Sequence, residues 1–178
     1  MVPTEKFDMI VKLEESENQK QEEEIVAMEQ IEMELENQGP YFYIKESEFY
    51  NVYMVELKSD KIKTAMKLAN TVLNTAFEIV PIECVVVTSP DQIIEKVINI
   101  SKNKIKTGET FKVKCNIRGE NYIKSSEEFF QHLNHELGKI NILPNENNPD
   151  WVVHIEVIGE NTGISILKSY TDVDKKFS

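Results

Sequence analysis

Apolar positions along this chain alternate, then recur at helical spacing, and the cycle repeats. Phe7, Met9, Val11 and Leu13 take every second position and predict a strand. Over 14–38, Ile25, Met28, Glu32 and Leu35 mark one side of a helix, with Val26 and Met33 beside it and acids elsewhere. Gly39-Pro40 ends that helix. Tyr41 to Ile44 and Phe49 to Leu57 are aromatic and β-branched runs about Lys45–Glu48, a hairpin pattern. Their aromatics suit cross-strand packing first and base stacking second. Ser59-Asp60 then caps a helix of about 17 residues carrying Ile62, Ala65, Met66, Ala69, Val72, Leu73 and Ala76 on one stripe. Glu78 to Val87 reads as one strand, with Pro81 at an edge, bulge or bend. The order β-α-β-β-α-β is ferredoxin-like.

The second series starts at Ser89-Pro90-Asp91-Gln92, with serine at N-cap, proline at N1 and glutamine at N3. Ile93, Ile94, Val97, Ile98 and Ile105 form its buried stripe. In 110–118, Phe111, Val113, Cys115 and Ile117 face one way, and Lys112, Lys114, Asn116 and Arg118 the other. The chain turns at Gly119–Asn121. A second capping box, Ser125 with Glu128, opens a helix with Phe129, Phe130, Leu133 and Leu137 on its apolar face. After a polar loop, Trp151 to Ile158 is almost continuously apolar, as for a strand covered on both faces. Ile164 to Leu167 predicts a last strand, and Thr171 to Ser178 a frayed tail. This half reads α-β-α-β-β. The expected fold class is α+β: a ferredoxin-like unit in 1–80 packed on a second domain in 81–178.

Charge changes the picture of the second half. The net charge is −11. Yet residues 1–38 hold 12 acids and three lysines, and the remainder 19 acids and 17 basic residues. Between Lys102 and Arg118 stand six basic residues (Lys102, Lys104, Lys106, Lys112, Lys114, Arg118) and one acid, Glu109. Helix-end lysines also suit the helix dipole, so 102–106 has two readings. Arg118 is the one arginine among 20 basic residues. It is either a chance survivor or a planar fork kept for bidentate phosphate binding.

Motifs for chemistry are sparse. There is no GxxxxGK[ST], GxGxxG or GxSxG run. His132 and His135 stand i, i+3 without HExxH or closed-zinc spacing, so no metal site and no cofactor is expected. His154 alternates onto the face of Glu156 and reads as structural. Cys84 and Cys115 sit in apolar runs without CxxC spacing and read as buried thiols. With no signal pattern and no apolar run of about 20 residues, a cytoplasmic location is expected.

FKVKCNIRGENYIKSSEEFFQHLNHEL followed by NNPDWVVHIEVIGENTGISILK resembles a THUMP domain. EIVPIECVVVTSPDQIIEKV is similar to that family's entry strand and first helix. The most specific piece is the Asn148-Pro149-Asp150 turn with V-x-I-E-V after it. The resemblance spans about 78–170, and the ferredoxin-like order before it also matches the unit that accompanies THUMP domains in tRNA-modification enzymes. A chain of this length is similar to the stand-alone THUMP adaptor family that serves the tRNA cytidine acetyltransferase. That resemblance implies a non-catalytic protein that binds tRNA at the acceptor stem and 3′ end and presents it to an enzyme making acetylcytidine. The family's basic region carries more arginine than this one.

The residues assigned to RNA are Lys102, Lys104, Lys106, Lys112, Lys114, Asn116, Arg118 and Lys124. Those on the strand recur roughly every 6.6 Å, a row able to follow a phosphate backbone. Arg118 is expected to make a forked phosphate contact and the lysines looser neutralisation. The alternative is a subunit of a split tRNA thiolase or methyltransferase that docks its enzyme through the acidic helix 14–38.

Overall fold

The structure, a computed structural model, describes residues 2–14, 21–39, 41–72, 77–171 and 173–175. Contacts divide the chain into two compact units. One comprises Phe7–Ile82 and Val173–Ser178, the other Met1–Lys6 and Glu83–Asp172.

The first unit contains β1 (Met9–Leu13), α1 (Gln21–Gln38), β2 (Phe42–Glu46), β3 (Val52–Leu57), α2 (Lys61–Thr71) and β4 (Phe77–Pro81). Its sheet runs β4-β1-β3-β2, the ferredoxin-like order, with antiparallel neighbours. The alternation in β1 points Met9 and Val11 into a core shared with Ala27, Ile31 and Leu35 of α1 and Ala65 and Leu68 of α2. Ile31 and Leu68 are fully buried, so truncating either to alanine should cost about 2–5 kcal/mol. Asp60 caps α2 by accepting from the Ile62 and Lys63 N–H groups, both at 3.0 Å. Met66, expected on the buried stripe, is exposed, and Thr64 is buried instead. Leu73, Ala76 and residues 15–20 of the expected first helix lie outside the described residues.

Two strand expectations need correction. The run 78–87 is not one strand. It breaks after Pro81, at Ile82-Glu83, into β4 and β5 (Cys84–Val87), which belong to different sheets. The tail, expected to fray, carries β10 (Val173–Lys175), which pairs antiparallel with β4 and extends the first sheet to five strands. A three-residue strand is too short to show a period of its own, so pairing with an existing edge decides it.

The second unit contains β5, α3 (Pro90–Lys104), β6 (Thr110–Arg118), α4 (Ser126–Gly138), β7 (Leu143–Pro144), β8 (Trp151–Ile158) and β9 (Asn161–Lys168). Its sheet order is β5-β9-β8-β6-β7. β6 runs parallel to β7 and β8, whereas β9 is antiparallel to β8 and β5. One face, with Phe111, Val153, Ile155, Val157, Ile164 and Ile166, packs against Ile93, Ile94 and Val97 of α3 and Phe129, Leu133 and Leu137 of α4. β8 is buried at every residue after Trp151, as its unbroken apolar run implies. Ser125 caps α4 by accepting from the Glu128 N–H at 3.2 Å. Ser89 stands at the N-cap of α3 but makes no side-chain cap bond, so only Pro90 at N1 marks that start as expected. The chain is α+β throughout: a ferredoxin-like unit and a second mixed sheet under two helices.

Candidate nucleic-acid interface

β6 decides the site. β7 covers it only at Thr110 and Phe111, so from Lys112 onward β6 is the sheet edge among the described residues. Its alternation does what the sequence requires. Phe111 is buried and Val113, Cys115 and Ile117 pack on the helical core. Lys112, Lys114, Asn116 and Arg118 share the opposite face. Through the parallel register they stand beside Val152, His154, Glu156 and Ile158 of β8.

That face carries a buried acid. The Glu156 side chain is 1% exposed, and Arg118 Nη1 donates to its Oε2 at 2.8 Å. Asn116 Nδ2 donates to its Oε1 at 3.1 Å. A carboxylate inside an apolar strand would otherwise lose its hydration without return. Arg118 therefore enters the site as half of an ion pair, with its side chain 17% exposed. Cys115, next to this pair on the other face, has its thiol pushed up to about 12, first by burial and then by the Glu156 charge, with Arg118 opposing.

The other assigned lysines are spread out. Lys104 is bound twice, to Glu83 at 2.6 Å and to the Ile166 carbonyl at 2.9 Å. Lys102, Lys106 and Lys124 are exposed. Lys102 and Lys104 lie in the last turn of α3 and Lys106 just after it, on the chain that leads to the start of β6, while Lys124 follows the end of β6. A nine-residue strand spans about 26 Å between its end residues, so Lys112, Lys114, Asn116 and Arg118 form a row along β6, whereas Lys104 is held at Glu83 and Ile166 of β9, beyond β8.

The start of β6 is fixed by the polar loop before β8. The Asp150 carboxylate accepts from the Thr110 N–H at 2.8 Å and the Thr110 hydroxyl at 2.9 Å. These bonds, the backbone one foremost, hold the Asp150 carboxyl below its ordinary value. Asn145 Oδ1 accepts from the Asn147 and Asn148 N–H groups and shapes the turn. The Lys168 ammonium lies 4.1 Å over the Trp151 ring and 3.4 Å from Glu109. At the other end, Gly159 takes φ +58°, and its N–H bonds the Arg118 carbonyl at 2.9 Å. The Asn-Pro-Asp turn is thus a tie between β8 and β6.

Arg118 is legible in the sequence, but its partner is not. Glu156 was a visible signal, one acid in an apolar strand, yet the register that joins residues 38 apart was not.

No curated protein matches the chain by sequence. The fold has several solved likenesses. PH1313 from Pyrococcus horikoshii Ot3 superposes with TM-score 0.71 at 18% identity, covering 94% of this chain and 54% of that one. A 4-thiouridine synthetase, solved as an RNA complex with bound ATP, gives 0.63 at 15%, covering 96% and 42%. TrmN from Thermus thermophilus gives 0.53 at 12%, covering 89% and 45%. The chain therefore spans about half the length of these proteins or less, and the likeness is one of fold. No helix among the described residues is long and apolar enough to cross a membrane. The THUMP domain model matches residues 87–167, from the end of β5 to the end of β9. The chain thus carries a THUMP domain, which contains the whole of the basic edge strand.

Proposed function

We propose that this protein binds tRNA along the β6 edge and presents it to a separate modification enzyme. The observation that carries the RNA half is the position of Lys112, Lys114, Asn116 and Arg118 on a strand whose outer edge is open from Lys112 onward among the described residues, inside a THUMP domain. Side chains spaced by about 6.6 Å on a sheet edge match the repeat of a phosphate backbone within one or two ångströms of side-chain reach. Duplex RNA is read by shape and backbone, which needs a charged rail and few base contacts. The solved RNA complex of the 4-thiouridine synthetase, built on the same fold, supports the class of ligand. The acetyltransferase is the enzyme that the family resemblance favours, and chemistry carried out by that second protein is part of the proposal. The acidic first unit repels phosphates, so tRNA is held in one orientation and non-specific RNA weakly.

The test is a tRNA gel shift with wild type and Lys112→Glu/Lys114→Glu, paired with sequencing of tRNA modifications in a deletion strain. Weakened binding and loss of acetylcytidine support the reading. Unchanged binding removes the surface, and loss of thiouridine or of a methyl mark redirects the partner. The second reading, a subunit of a split thiolase or methyltransferase, draws on α1, where Ile25, Val26 and Met33 are exposed among acids.

A further inference from the structure

The first unit has an open edge of its own. β2 is the last strand of its sheet, and no strand lies beyond it among the described residues. The Ser47 N–H bonds the Val52 carbonyl at 3.1 Å, which fixes the phase of the hairpin. By antiparallel alternation, Tyr43 and Lys45 turn their peptide groups toward β3, whereas Phe42, Ile44 and Glu46 turn theirs outward. Beside this edge runs a groove of about 680 Å³, lined by Met28, Glu32 and Glu36 of α1 and by Phe42, Ile44 and Tyr53 of the hairpin. A second hollow of about 490 Å³ also includes Glu46 and Tyr53, together with Glu24 and Glu48.

We propose that this groove docks a basic, extended segment of a protein partner, which adds to β2 as a strand and sets lysine or arginine side chains against Glu32, Glu36 and Glu46. Three observations choose this occupant. The floor is apolar, so alternate side chains of an added strand can bury there. The rim is acidic: Glu32, Glu36 and Glu46 line the groove, and Glu24 and Glu48 line the hollow that shares Glu46 and Tyr53 with it. The Tyr53 phenol is pushed up, first by burial and then by the Glu46 and Glu24 carboxylates, so negative potential reaches into the groove. A second copy of this chain would bring the same acids to the same edge, and RNA would bring phosphates. Both are repelled where a cationic strand is drawn in. This deepens the presentation half of the function proposed above by naming how the enzyme is held.

The probe is a fluorescent peptide of alternating lysine and valine, titrated by anisotropy against the full chain without tRNA. Saturable binding is expected. Methylation of alternate backbone nitrogens should abolish it, because the added strand then lacks donors. Glu32→Lys/Glu36→Lys should weaken binding at least ten-fold. Glu95→Lys/Glu127→Lys makes the same charge change on exposed residues of the other unit and should leave affinity unchanged. The proposal is overturned by equal binding of the methylated peptide, by equal losses in both variants, or by no saturable binding. It is also overturned if the chain dimerises through β2 and Ile44→Pro dissolves the dimer, or if tRNA and not the peptide shields Tyr43. Because tRNA is absent from the peptide titration, its failure leaves RNA binding by β6 standing.

Discussion

Replacing Arg118 by alanine separates two roles that one side chain holds. In the folded chain the substitution strips the Glu156 carboxylate, 1% exposed, of its guanidinium partner, while Asn116 Nδ2 stays at 3.1 Å. Breaking a buried pair by removing one partner costs about 3–5 kcal/mol. With a urea slope of about 2 kcal/mol per molar, the midpoint of the second unit should fall by about 1.5–2.5 M. Glu156→Gln should cost less, because the guanidinium keeps 17% exposure and a route to water. The double variant Arg118→Ala/Glu156→Gln should recover most of the loss, since it leaves no unpaired charge. Urea unfolding of the four proteins completes the cycle. A stability for Arg118→Ala within about 1 kcal/mol of wild type would refute the pairing argument. The double variant then serves the RNA question. If Arg118 also touches phosphate, the refolded double variant should bind tRNA about 10- to 100-fold more weakly, the worth of a charged hydrogen bond of about 1.5–3 kcal/mol.

Three further outcomes follow from local geometry. Cys115, with its thiol near 12, should react with iodoacetamide at pH 8 about three orders of magnitude more slowly than an ordinary thiol, as read by peptide mass mapping. Rapid labelling of Cys115 in the native chain would contradict its burial. The Asp150 carboxyl lies below the ordinary 3.8 in the fold, so its stabilisation is fully present well above that pH and fades as pH falls through the lowered value. Asp150→Ala should therefore be less stable than wild type at neutral pH, and the gap should close only in strong acid, measured by urea midpoints across pH. Asp60→Ala removes two N-cap bonds of α2 and should cost about 1 kcal/mol, while Asp60→Asn keeps most of that.

Much of the architecture was legible because it rests on local periods. β6 alternates, β8 is apolar without interruption, and Asp60 and Ser125 mark helix starts by their own side chains. What failed was non-local. Pro81 marks a bend in EIVPIECVVV, but nothing there shows that its two halves join different sheets, since each half is an apolar run that suits a strand by itself. β10 exists because β4 offers it an edge, not because three residues prefer extension. The same limit applies to the site. The basic face of β6 is a two-residue period and can be read directly, whereas the Arg118–Glu156 pair depends on the register of parallel strands. The Asn-Pro-Asp turn was a sequence marker before it was a structure, and Asp150 explains it by tying Thr110 to the loop.

The salt dependence of tRNA binding tests the central claim most directly. Wild type and Lys112→Ala/Lys114→Ala are titrated with tRNA across 50–200 mM salt. Each lost phosphate contact should lower the slope of log K against log salt by about one, so the double variant should lose about two and bind more weakly at every salt. A variant with the wild-type slope and affinity would contradict the assignment of the β6 edge to RNA.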